Sequence, residues 1–410
     1  MNILYIDHYA GSVSMGMEFR PYYMACEWQK MGHKVRVITA SFSHLRKRNP
    51  EITKDFSVTE VDGVNFQWVK TRSYQGNGVS RIVTMTQFCW KLYLRANQIA
   101  RDFKPDIVIA SSTYPMDAYS ARRIAKFSGG KYIHEVHDMW PITPIELYGM
   151  SSKHPFVRIV QHAEDYFCRN ADIVVSILPA AKEYFESHGM DGDKFVYIPN
   201  GIVLSDWLNP EELPAQHAEV LNRARMEGRF IITFFGSHTK SYCLDELVYA
   251  LSMIDQSKVF VAFVGEGNYK NELQKLAADL RISESSYAFL PAVNKRAIPS
   301  LLEECDASYV GAKKNRMFRY GIGMNKLFDA MMAGKPILYA VEAPNDFVKD
   351  YQCGISVSAE EPDILAWGLK TLIEMDESRR MEMGCNGKRA ILEHFTYETL
   401  AEKFVSEVMK

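Results

Sequence analysis

Residues 320–336, YGIGMNKLFDAMMAGKP, group two glycines, an amide, an amine and a carboxylate around the start of a short predicted helix. Gly321 and Gly323 let a ligand approach the backbone closely, and Met324, Asn325 and Lys326 open the helix. Unbonded backbone N–H groups and the helix dipole favour an anion there, such as a diphosphate. Asp329 lies between the apolar positions Leu327, Phe328, Met331 and Met332, where it can accept hydrogen bonds from ligand hydroxyls. Gly334 and Pro336 stop the helix, and residues 337–340 read as a buried strand. The same run also suits any loop–helix–strand unit of an α/β protein.

Other candidates stand at predicted strand ends. Gly11 and Gly16 bracket the loop after the first strand; this is not GxGxxG, but its N–H groups could face a phosphate. His137 and Asp138 leave the strand at 131–136 for a Trp-Pro loop, a position suited to hydrogen bonding a substrate. Ser237 and Lys240 follow Gly236 after the strand at 230–235, and Lys240 can deliver a point charge to a phosphate. Gly265 and Gly267 follow the next strand, and Asn200-Gly201 ends the front half as a turn or a ligand contact. Three glycine-containing loops and two lysines at one end of one sheet favour a phosphorylated, nucleotide-like ligand. No DxD motif or His/Asp cluster suggests a metal site.

The elements that must position these residues alternate. Strands are predicted at 2–6, 35–39, 106–110, 131–136, 172–177 and 195–198, with helices between them. After a polar segment at 205–229 come strands at 230–235, 259–264, 286–290, 307–310, 336–340 and 354–357. The tail is helical from 364 to 409. Alternation of this kind implies parallel sheets covered on both faces. The expected division is an acceptor domain at 1–203, a donor domain at 204–391, and a last helix at 392–410 returning to the first domain.

A chain of 410 residues with 47% hydrophobic content is long enough for two cores and is not disordered. No apolar run reaches the ~18 residues of a membrane span. Residues 1–6 lack a basic n-region, so no signal peptide is expected. Seven scattered cysteines without CxxC spacing suit reduced thiols in a cytoplasm. Residues 1–131 carry 19 Lys/Arg against 10 Asp/Glu, although the whole chain is at −2. That excess points to an anionic partner or to a solvated basic surface. The triplet Arg46, Lys47 and Arg48 and the amphipathic stretch 79–101 suggest a membrane surface. That stretch also suits an ordinary core-packed helix. Nucleic acid is not expected, because no aromatic stacking motif accompanies the basic residues.

In order and spacing these motifs resemble the GT-B glycosyltransferases of family 4, over nearly the whole chain, most specifically at 198–201, 264–267 and 321–336. Residues 19–21, 110–115 and 135–144 further resemble bacterial polysaccharide-assembly enzymes of the fucosamine-transferase type. The resemblance implies two Rossmann-like domains facing a cleft, a UDP-sugar co-substrate and transfer with retention, without cofactor or metal. It places Gly11 near the donor phosphates and His137 by the sugar's 6-position. Ser237 and Lys240 stand where the family has an Arg and a Lys on the diphosphate, so the Arg is missing. Asp329 aligns with the second carboxylate of the E-x7-E element, on the ribose, while Gly321 replaces the first glutamate. Backbone donors at 323–326 then take over the sugar contact, with an altered sugar preference. The acceptor is expected to be a lipid-linked saccharide at the inner membrane surface, with the enzyme cytoplasmic and peripherally bound. Two rivals remain: a nucleotide-sugar 2-epimerase of the same architecture, and a non-catalytic nucleotide-sugar-binding subunit.

Overall fold

The computed structural model describes residues 1–16, 19–76 and 78–409. The chain forms two compact units, Met1–Pro199 with Tyr397–Lys410, and Asn200–Thr396. The first holds an eight-stranded sheet of β1 (Asn2–Ile6), β2 (Lys34–Ala40), β3 (Ser57–Val61), β4 (Val64–Val69), β5 (Ile107–Ala110), β6 (Lys131–Val136), β7 (Ile173–Ser176) and β8 (Phe195–Tyr197). Their order is β3-β4-β2-β1-β5-β6-β7-β8. β1 pairs in parallel with both neighbours, Ile3 lying opposite Val35 and Ile107. All four residues of β5 are buried, as a strand covered by helices on both faces requires.

The second unit has six parallel strands, β9 (Phe230–Phe235), β10 (Val259–Val264), β11 (Tyr287–Leu290), β12 (Ala307–Gly311), β13 (Ile337–Ala340) and β14 (Gly354–Ser356). Their order is β11-β10-β9-β12-β13-β14, and every residue of β9 and β10 is buried. Phe234, Leu247, Val261, Phe263, Tyr309 and Leu338 share one core. In each sheet the winding reverses beside one strand, β1 in the first and β9 in the second. Ligands of doubly wound folds sit outside the carboxyl end of such a strand, where the loops of Gly11 and Ser237 begin.

The hairpin β3–β4 is an element the sequence reading lacked. Its strands are antiparallel, joined by Asp62 at φ 48° and Gly63 at φ 81°. Asp-Gly between two short β-rich runs is the sequence signature of this turn. The supposed polar connection at 205–229 instead contains helices Leu204–Leu208 and Ala215–Met226, the latter burying Leu221 and Ala224.

One surface expectation changes, and the stretch 79–101 takes its core-packed alternative. Arg46 is buried: Nε donates to the Ala10 carbonyl at 2.7 Å, Nη1 to the Ala40 carbonyl at 2.8 Å and Nη2 to Thr39 Oγ1 at 2.6 Å. Its guanidinium also lies 5.3 Å from the Trp68 ring, so it braces the loop after β1 and does not belong to a basic surface patch. Only Lys47 and Arg48 of the triplet are exposed. In the helix Val79–Phe103, Phe88, Leu92 and Ile99 face the core. The exposed apolar side chains are others, Val79, Val83, Trp90 and Leu94.

Candidate active site

At the carboxyl end of β6, in the first unit, a buried charge network surrounds His137. Arg20, in the first turn of the helix Arg20–Lys30, donates to Glu135 Oε1 from Nε at 3.1 Å and from Nη2 at 2.9 Å. Nη1 donates to the Pro199 carbonyl at 2.6 Å, and Nη2 also reaches the Ile198 carbonyl at 3.1 Å. Glu135 Oε2 accepts from Ser111 Oγ at 2.6 Å and from the Tyr5 hydroxyl in a shorter bond. Burial pushes the Glu135 carboxyl up, but the Arg20 charge and the bonds from His137 and Ser111 outweigh it, holding it well below the usual carboxylate range.

His137 Nε2 lies 3.1 Å from Glu135 Oε2 and 2.9 Å from Ser111 Oγ. Its side chain keeps 14% of its exposure, so the ring is oriented from below and open to one side. A carboxylate holding an imidazole in this way fixes its orientation. Gly11 is buried in the loop after β1 that Arg46 braces. The pairing of Arg20 with Glu135 is absent from the sequence reading. The one signal was an arginine directly before the helix proline Pro21, where the dipole disfavours a cation that has no anion beside it.

In the second unit, the residues 236–238 and 265–267 pack on each other. The Gly236 N–H donates to the Val264 carbonyl at 3.0 Å and the His238 N–H to the Glu266 carbonyl at 2.9 Å. A Cβ on Gly265 would fall 1.9 Å from the Gly236 carbonyl oxygen, and one on Gly267 would fall 2.1 Å from that of His238. Contact between the two loops thus accounts for both glycines. The loop of residues 321–323 is held from outside: Asn345 donates to the Ile322 carbonyl at 2.8 Å and accepts from the Ile322 N–H at 2.9 Å. Asn200 Nδ2 donates to the Gly323 carbonyl at 3.0 Å, giving the turn at 199–201 a supporting role.

The helix Asn325–Met332 starts without a side-chain cap or an acidic residue in its first turn. Met324 is half-buried at its N-cap and Asn325 is exposed. The Lys326 side chain runs back to the loop after β9, placing Nζ 3.3 Å from the centroid of the Tyr242 ring and 4.3 Å from that of Phe234. A Cβ at Gly236 would lie 3.0 Å from this ammonium. Nζ is buried with no hydrogen-bond partner among the described residues, and burial pushes its pKa down to about 7. Among the described residues, both ring nitrogens of the fully buried His238 also lack partners. Burial first, then Lys270 and Lys326, lower His238 to about 4, against the pull of Glu266.

Ser237 is exposed beside this cluster. Lys240 is exposed too, 3.2 Å from Glu272 Oε2 and 5.1 Å from the Tyr269 ring centroid. Asp329 is half-buried against Trp207, and burial raises its carboxyl to about 6, opposed by Lys295 and assisted by Asp206. The Lys326 ammonium is thus brought beside Gly236, while Lys240 pairs with Glu272 and Asp329 lies against Trp207.

Residues 15–201 match the family model described as glycosyl transferase 4-like domain, and residues 220–390 match glycosyl transferases group 1. The chain carries both halves of a GT-B glycosyltransferase. The GT-B chain is 22% identical over 343 residues to "Probable glycosyltransferase WbjE" of Pseudomonas aeruginosa, covering 80% of this chain and 79% of that one. It is also 22% identical to WcaI of Escherichia coli, a glycosyl transferase assigned to colanic acid biosynthesis, covering 70% and 71%. Among solved structures, Anabaena HepE in complex with UDP superimposes with a TM-score of 0.70 at 15% identity, over 100% of both chains. WaaG, a glycosyltransferase of lipopolysaccharide biosynthesis, gives 0.65 at 14%, again over 100% of both. At these identities the superpositions establish the fold of this glycosyltransferase, two α/β units with parallel sheets.

Proposed function

We propose that the glycosyltransferase moves a sugar from a UDP-linked donor, with retention, to a lipid-linked saccharide during assembly of a cell-surface polysaccharide. The observation that carries this reading is the convergence, in one unit, of an uncapped helix start, a glycine loop and the unpartnered Lys326 ammonium at the reversal of the sheet. Such a place suits a diphosphate. The UDP held by the HepE relative and the biosynthetic roles of WcaI and WaaG agree with it.

In the proposed reaction the bond from the anomeric carbon to the diphosphate breaks, and the acceptor hydroxyl attacks from the same face. Its proton passes to the departing phosphate oxygen. Charge growing on the diphosphate is stabilised by the N–H groups at 323–326 and by Lys240 once it leaves Glu272. These groups can do the electrostatic work of a divalent metal. His137 serves the sugar and Asp329 the ribose. An N-acetylated 6-deoxy sugar is the favoured donor class, with Gly321 in place of a sugar-binding carboxylate.

The membrane-surface reading now rests on Lys47, Arg48 and the exposed Trp90 and Leu94. Nearby, Arg123 lies 4.3 Å from the Tyr93 ring centroid, and a groove of about 520 Å³ is lined by Trp90, Tyr93, Met116, Tyr119 and Ile159. Aromatic and basic side chains together suit an interface with anionic lipid. Among the described residues no helix is long and apolar enough to cross a membrane.

A panel of UDP-linked N-acetylated sugars, including the 6-deoxy L-series, assayed on a lipid-linked acceptor with mass-spectrometric detection tests the reading. Acceptor-dependent gain of one sugar mass is the expected result. Nucleotide release that ignores the acceptor would instead identify an epimerase, and tight binding without turnover a non-catalytic subunit.

A further inference from the structure

Lys326 presents an unusual combination. Its ammonium is buried and, among the described residues, has no hydrogen-bond partner and no carboxylate within 4 Å. The faces of Tyr242 and Phe234 replace only part of its lost hydration. The titratable groups around it do not compensate. Tyr242, in the 3-10 turn Lys240–Tyr242, is itself pushed up by burial and stays neutral. His238, on the loop after β9, is neutral as well, and beyond it Lys270 already pairs with Glu266 at 3.1 Å. The charges of the nearby salt bridge therefore cancel each other, and the Lys326 amine is left facing Gly236 and the uncapped helix start. A buried amine in this state gains most from an anion that enters its site.

We propose that the Lys326 amine is the inner counter-charge of the donor's diphosphate and that it takes up a proton from solvent as the nucleotide binds. The proposal rests on the donor reading above. No bond is formed or broken; one proton moves from solvent to Nζ, giving an ammonium beside the diphosphate. Lys240 cannot perform this coupling, because it is exposed and already beside Glu272. With the unliganded amine near 7, most of it is neutral at pH 8 and must be protonated on binding.

Calorimetric titration of the whole chain with UDP at pH 8.0, in buffers of different ionisation enthalpy, counts the protons directly. About 0.9 proton per UDP is expected in the parent. Lys326→Met should take up none, should bind UDP at least roughly thirtyfold more weakly, and should melt no lower than the parent when unliganded. Lys326→Arg, which stays charged, should bind UDP without proton uptake. Normal UDP affinity in the parent with roughly 0.2 proton or less would falsify the coupling while leaving the donor reading intact. Parent-like affinity in Lys326→Met sinks the counter-charge role. If UDP, GDP and dTDP all fail to bind the parent, the donor reading falls and this inference falls with it.

Discussion

Arg20 in the first unit and Lys326 in the second are both cations in the first turn of a helix, with buried charged ends. Arg20 meets a carboxylate and two backbone carbonyls, so its charge and its donors are used inside the protein. Lys326 meets two ring faces and an opening beside Gly236. Burying a charge is tolerable when its partner is built in, and unfavourable when the partner is missing. The first arrangement fixes a fold and orients His137. The second holds unfavourable energy that a ligand can relieve, which is how sites and scaffolds differ when the same residue types are used.

The sharpest way to break this comparison is to remove each cation and read stability. Arg20→Met leaves Glu135 Oε1 buried without its guanidinium and should destabilise the protein by about 3–5 kcal/mol. Lys326→Met should act with the opposite sign, stabilising the unliganded protein by about 1–4 kcal/mol. The pH dependence adds a second reading. The folded Lys326 amine sits near 7, below its ordinary value of 10.5, so the unfolded chain holds more protons between those values. Stability of the unliganded parent should therefore gain a rising component from pH 7 towards 10, absent in Lys326→Met. Equal losses of stability in both variants, measured by denaturant unfolding, would make Lys326 another structural cation.

Next in size is His137→Ala, which should lower transfer about a hundredfold with UDP affinity nearly unchanged. Weakened UDP binding with normal turnover at saturation would move His137 out of the sugar's surroundings. For Asp329→Asn, donor affinity should drop about tenfold, because a charged acceptor is exchanged for a neutral one. In the parent, that affinity should fall as pH drops through about 6, where the carboxyl takes up its proton. A 2′-deoxy donor should be penalised less by the variant than by the parent; identical penalties would remove Asp329 from the ribose.

The smallest effect belongs to the surface. Replacing Lys47 and Arg48 with Ser should weaken sedimentation with anionic liposomes by about 1 kcal/mol per charge at low salt. Soluble-acceptor activity should stay at the parental level. Arg46→Ser should instead lower the melting temperature, since its guanidinium braces the loop after β1. Liposome binding that is absent in the parent at low salt would leave the exposed basic residues as a solvated face.

Much of the architecture was readable because parallel strands covered on both faces appear as unbroken apolar runs, as in Phe230–Phe235 with all six residues buried. The glycine–lysine run at 321–326 was readable for the same kind of reason, since its signals are local. The hairpin Ser57–Val69 was missed because β3 is mostly exposed and lacks an apolar run, although Asp62-Gly63 marked its turn. Arg46 looked like surface because two exposed basic residues follow it, and its acceptors are carbonyls with no sequence signature. The Arg20–Glu135 pair spans 115 residues, and no local rule connects its ends. Lys326 could be located from the sequence, but its lack of a partner is visible only once the surrounding side chains are placed.

The path of the chain has a consequence for how the protein is made. The helix Tyr397–Val408 completes the first unit, with Phe404 5.0 Å from Trp28, Tyr397 5.0 Å from Tyr23, and Lys403 donating to the Tyr197 carbonyl at 2.9 Å. The ribosome must therefore finish the whole span Asn200–Thr396 before the helix that covers Trp28 emerges. At about 5–20 residues per second, the nascent first unit waits roughly 10–40 s for it. The second unit is contiguous in the gene and can close as soon as it is synthesised. Vectorial synthesis thus reverses the order of the domains: the half that starts first is the half that is completed last.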